Sequence, residues 1–159
     1  MVFLFSVKTF RYAILSMFIY IYFEKWYLSG DLVDAFPDWK ELREAQIRDL
    51  KKVLNELNSN IKIVCVCGNH DVGDEPTDES IEIYKRDFGD DYFSFWCNGC
   101  KFISLNSQLY FNSTQVPHLR QQQDEWLDKE LNDNKDCKHL VIFQHIPLFT
   151  KSPDEPADV

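Results

Sequence analysis

The sequence predicts a single α/β domain, and three observations carry that expectation. Short apolar runs alternate with amphipathic or polar helical stretches along most of the chain. Three of those runs stop at polar clusters, Gly30-Asp31, Gly68-Asn69-His70-Asp71 and His145, as strands do where a parallel sheet opens onto a crevice. With 159 residues and 45% hydrophobic content, the chain can bury one core and is too short for two.

The elements follow in order. Trp26 to Ser29 (WYLS) is a short apolar strand ended by Gly30 and Asp31. From 39 to 58, Leu42, Ala45, Leu50, Val53, Leu54 and Leu57 recur at helical spacing, and Glu44 stands four residues before Arg48, which predicts an amphipathic helix. IKIVCVC at 61–67 is apolar at nearly every position, as a strand covered on both faces must be. Strand, helix and strand make a right-handed crossover unit. A polar helix at 78–88 follows, then a hairpin across 92–106, a helix at 120–134 and an apolar strand at 139–144. Neither an internal repeat nor a low-complexity tract interrupts the series.

Residues 1–25 form an atypical apolar segment ahead of the domain at 26–159. Lys8 and Arg11 precede a twelve-residue apolar run from Tyr12 to Phe23, shorter than the ~20 residues a helix needs to span a bilayer. Glu24, Lys25 and Trp26 follow it where a signal peptide would carry a small-residue cleavage site. Three readings stay open: an alternative exon or gene-model error, a strand or helix that substitutes in the core, and a membrane anchor.

A net charge of −9 and a pI near 4.8 set the protein's field against nucleic acid and anionic membrane surfaces, so neither is expected as a partner. Of the five cysteines, Cys65 and Cys67 read as small buried hydrophobes. Cys97 and Cys100 form a CxxC, yet the enclosed Asn98-Gly99 is a two-residue hairpin turn and no second CxxC completes a zinc site. Free, structural cysteines in a reducing compartment are the expectation.

The polar strand ends carry the chemistry. Parallel neighbours would bring Asp31, Asn69 and His145 together despite their separation in sequence. A carboxylate, an amide oxygen and an imidazole suit hard-to-borderline divalent ions. A carboxylate can bridge two such ions, and an ion pair can clamp an in-line displacement at phosphorus. Taken alone, GDLVD is a turn and His145 a core histidine; their joint occurrence at strand ends, in this order, favours a metal site.

GDLVD at 30–34, GNHD at 68–71 and the histidine of QHIP at 145 resemble three successive motifs of the calcineurin-like metallophosphoesterases, and the resemblance runs from Trp26 to the end through GDDYFSFW, LNSQ and VIFQHIPLF. It implies a partial metallo-dependent phosphatase fold, an α-β-β-α sandwich lacking the first-motif strand and the C-terminal part. It also implies two divalent ions (Mn, Fe, Zn or Mg). Asp31 would bridge them, Asn69 and His145 would ligate the second, His70 would protonate or stabilise the departing oxygen, Asp71 would orient His70, and Asp34 would support the Asp31 loop. The implied reaction is hydrolysis of phosphoserine and phosphothreonine esters by a metal-bridged hydroxide, in a cytoplasmic, monomeric enzyme acting on phosphoproteins such as an Akt-type kinase.

Two motifs of that family are missing. Residues 1–29 contain neither aspartate nor histidine, so no D-x-H precedes GDLVD, and no G-H-x-H follows QHIP. The expectation is therefore a chain truncated at both ends, with low or no activity, doubtful metal occupancy, or a non-catalytic role in binding phosphoproteins or regulators.

Overall fold

A computed structural model of the protein describes residues 2–5, 25–60, 62–133 and 137–149, the first six of these by backbone alone. The strands are β1 (Val2–Phe5), β2 (Lys25–Ser29), β3 (Lys62–Val66), β4 (Phe93–Cys97), β5 (Cys100–Ser104) and β6 (His139–Phe143). Between them lie α1 (Lys40–Asn55), α2 (Asn69–Val72), α3 (Asp78–Phe88), α4 (Gln108–Phe111) and α5 (Pro117–Asn132).

The strands form two sheets. β2 and β3 pair in parallel, and a second sheet runs in the order β1-β6-β5-β4, parallel except for β4. Alternation along each strand explains how they meet. Tyr27, Val64 and Val66 point from the small sheet towards Phe102, Val141 and Phe143 of the large one, and the Tyr27 and Phe143 rings stack at 4.4 Å. The opposite side chains of the small sheet, Leu28, Ile63 and Cys65, join Ile81 and Tyr84 of α3 and Leu50 and Leu54 of α1. Both faces of β2–β3 are thus covered, which is why their sequences are almost continuously apolar. At the far end α5 lies against the hairpin, where the buried Lys101 ammonium donates to the Glu130 and Asp133 carbonyls at 2.6 and 2.7 Å.

The architecture is the α/β sandwich that the sequence implies, with one difference. β2, β3 and β6 were expected side by side in one sheet. Instead β6 pairs with β1 and β5, and its end meets those of β2 and β3 across the gap between sheets. The hairpin turns at Asn98-Gly99 with φ of 50° and 79°, which pairs Cys97 with Cys100; both thiols are free. Helix α5 begins at Pro117, ahead of the expected 120, because a proline's missing N–H costs nothing in a first helical turn. The apolar run from Tyr12 to Phe23 lies outside the described residues. Among the described residues no helix is long and apolar enough to cross a membrane.

Candidate metal centre

The site begins where β2 ends. Gly30 (φ 90°) and Asp31 (φ 50°) take the left-handed backbone that turns the chain sharply at the strand terminus. A side chain on Gly30 would collide with the His145 ring, 2.7 Å from its Cγ, and one on Gly68 would come within 2.5 Å of the Asp31 amide. The two glycines leave the space in which Asp31 and His145 meet.

His145 arrives from the other sheet. Its Nδ1 donates to the Ser29 carbonyl at 2.8 Å, so in the neutral ring Nε2 keeps its lone pair, and it faces Asp31 Oδ1 at 3.5 Å. Two acceptors pointed at each other need a cation between them. A shared proton would draw nitrogen and oxygen to about 2.7–2.9 Å. Two donors each ~2.0–2.2 Å from one metal ion stand roughly 3–3.5 Å apart at tetrahedral or octahedral angles. The spacing fits an ion.

Asn69, His70 and Asp71 form the single turn of α2. The Asn69 amide nitrogen donates to Asp74 at 2.9 Å, which commits the nitrogen and leaves the amide oxygen as the group able to ligate. The His70 amide donates to Asp31 Oδ1 at 3.2 Å, joining the two turns. The His70 Nδ1 meets the Asp34 carbonyl, and Phe36 lies over the imidazole with ring centroids 4.2 Å apart.

The Asp71 carboxylate does not hold the His70 ring. It is fully buried and accepts from the Gly68 amide at 2.8 Å and the Leu32 amide at 3.0 and 3.2 Å. Successive helical residues point about 100° apart, so Asp71 reaches back over the start of its own turn while His70 faces elsewhere. Orientation of the ring falls to the Asp34 main chain, and the Asp34 side chain is exposed. Burial pushes the Asp71 carboxyl up to about 7, against the pull of the Gly68 amide and with a further push from Asp31.

Sequence reasoning missed the supports. Arg43 is buried, and its guanidinium donates to the carbonyls of Ala35 (3.0 Å), His70 (2.8 Å) and Asp71 (2.7 Å). The signal was present: Arg43 occupies the first position of the stripe 43, 47, 50, 54, whose other members Ile47, Leu50 and Leu54 face the core. Under His145, the Ser107 hydroxyl accepts from the Ile146 amide at 2.9 Å and the Gln144 amide donates to the Ile146 carbonyl at 2.7 Å. Gln123 in turn grips both main-chain groups of Asn106. No group of three or more His, Cys, Asp or Glu poised for a metal is found among the described residues. The donors the structure assembles are one carboxylate and one imidazole, with an amide on the adjoining turn.

The profile of the family described as calcineurin-like phosphoesterase matches residues 23–159. The chain belongs to this family. Among curated relatives, the mouse (Mus musculus) protein named serine/threonine-protein phosphatase CPPED1 is 48% identical over 135 residues, which cover 82% of this chain and 42% of the relative. The human (Homo sapiens) protein of that name is 49% identical over 133 residues with the same coverage, and the zebrafish (Danio rerio) protein 44% identical over 133 residues, or 82% and 43% of the two chains. This calcineurin-like phosphoesterase thus spans about two fifths of the length of those relatives. No solved structure matches it.

Proposed function

We propose that the chain carries part of the catalytic face of a metal-dependent phosphoesterase that hydrolyses phosphomonoesters, with Asp31, Asn69 and His145 as ligands and His70 as the group facing the leaving oxygen. The observation that supports this reading most is the Nε2 of His145 set 3.5 Å from Asp31 Oδ1 with its Nδ1 proton already committed to Ser29. Divalent ions bound there would supply Lewis-acid charge to the phosphoryl oxygens and an activated water.

The chain's own residues do the positioning. Asp31 and His145 present their donors from opposite sheets, so the sandwich sets the spacing rigidly. Asp34 accepts the Nδ1 proton of His70, which leaves Nε2 as the nitrogen that can exchange a proton with a leaving alkoxide. Asp71 and Arg43 fix the turn on which His70 stands.

The name carried by the relatives extends the reading to phosphoserine and phosphothreonine in proteins as substrates; the motif resemblance extends the proposal further, to an Akt-type kinase among those substrates and to a cytoplasmic setting. Within this sequence Asp31 has no D-x-H partner for a first ion, so turnover by the chain itself is proposed to be low. Assay of the purified chain with a phosphopeptide and added Mn²⁺, alongside titration calorimetry with Mn²⁺, tests both halves. Binding lost in Asp31→Asn, with weak turnover lost in parallel, supports the reading; binding without turnover moves it to phosphoprotein binding; no metal binding rejects the site.

A further inference from the structure

The His70 ring is held more tightly than its place on a four-residue turn accounts for. Its Nδ1 meets the Asp34 carbonyl, its face is covered by Phe36, its own carbonyl receives the Arg43 guanidinium, and its amide rests on Asp31 Oδ1. Phe36 is itself fixed: Trp39 packs edge-on to it at 6.1 Å, and its carbonyl receives the Trp39 amide at 3.0 Å. Arg43 lies one turn further along and also binds the Ala35 carbonyl at 3.0 Å. Residues 34–36 and the start of α1 are therefore one bracket around the imidazole. A buried guanidinium is a costly strut, and its planar fork suits several carbonyls at fixed directions where a lysine would serve one.

We propose that Phe36 and Arg43 are positioning residues for His70, Phe36 by covering the ring face and Arg43 by anchoring the main chain on both sides of the bracket, and that together they lock the ring as its Nδ1–H tautomer with Nε2 open to the site. Free imidazole favours the other tautomer, so the lock is visible spectroscopically. The inference rests on the reading of His70 as the group facing the leaving oxygen, but its readout needs no turnover, and the two can fail separately.

The experiment is a long-range ¹H–¹⁵N spectrum of the uniformly labelled full chain at alkaline pH, where imidazoles are neutral. The chain has four histidines, so the spectrum is simple, and His70→Asn assigns the signal. His70 is expected to show the Nδ1–H pattern in the native protein, to lose it in Phe36→Leu and Arg43→Lys, and to regain it in Phe36→Tyr, which restores an aromatic face. His145, bonded to Ser29 from the other sheet, is the internal control and keeps its Nδ1–H pattern throughout. An Nε2–H pattern at His70 in the native protein, or an unchanged pattern in Phe36→Leu, overturns the proposal. Should Arg43→Lys lose the His145 pattern as well, the variant has unfolded, and Phe36→Leu with its Phe36→Tyr rescue decides.

Discussion

The two sides of the site are held by opposite means. On the β2–β3 side the support is buried charge: Asp71 has no exposed surface, and Arg43, 3% exposed, binds three carbonyls of the same two turns. On the β5–β6 side it is largely neutral: Asn106, Ser107, Gln123 and Gln144 are all buried, and they exchange hydrogen bonds among themselves and with the main chain around Ile146. A buried carboxylate joins these amides: Asp91, as buried as Arg43, accepts from Asn106 at 2.9 Å and has Lys85 3.5 Å away. Buried charge fixes geometry strongly, but it responds to pH and to loss of a partner. Buried amides respond to loss of a partner alone. The side carrying Asp31 and His70 is accordingly the one whose shape is coupled more closely to charge.

Four substitutions break or sharpen that contrast. Arg43→Ala should be the most damaging, leaving three carbonyls, those of Ala35 and Asp71 buried and that of His70 half-buried, without this donor and Asp71 without its compensating charge; a loss of about 3–5 kcal/mol in urea unfolding is expected. Gln123→Ala removes both bonds to the Asn106 main chain and should cost roughly 2–3 kcal/mol. That loss should be flat with pH from about 5 to 8, where neither amides nor ordinary carboxylates titrate; a slope would erase the contrast. Asp71→Asn tests the charged side. Because the folded Asp71 carboxyl sits at about 7 and its ordinary value is 3.8, the folded state holds the proton longer. Its contribution is therefore full below the ordinary value, declines as pH rises and is lost above about 7. Stability of the native protein relative to Asp71→Asn should fall across that window, and a level difference would show that Asp71 ionises normally. Ser107→Ala should be mildest, at about 1 kcal/mol for one hydrogen bond to Ile146.

How much of this was legible in the sequence depended on the range of the interaction. The apolar alternation of WYLS and IKIVCVC, the helical spacing after Trp39 and the Asn98-Gly99 turn are local signals, and β2, β3, α1 and the hairpin stand where those signals fall. The strand-end motifs were legible as well, since Gly30 is demanded by its left-handed backbone and both Gly30 and Gly68 by the lack of room beside Asp31 and His145. Adjacency in GNHD suggests contact between Asp71 and His70, but about 100° of helical rotation separates the two side chains, and the Asp71 carboxylate accepts from the Gly68 and Leu32 amides instead. Gln123 read as an ordinary polar position of a surface helix, for its partner lies 17 residues away; the place of Arg43 in the apolar stripe of α1 was legible, but its carbonyl partners 8, 27 and 28 residues away were not.

What the sequence determined by itself was the set of elements and the identity of the site's side chains, because strand alternation, helical period and left-handed turns are written in neighbouring residues. The partition into two sheets was decided only in three dimensions. Nothing local tells β6 to pair with β5 and β1 and leave β2 and β3 to each other; that follows from which apolar faces can cover one another. The meeting of Asp31 and His145 depends on the same packing, since residues 114 positions apart face each other only when Tyr27 stacks on Phe143 and closes the sheets together.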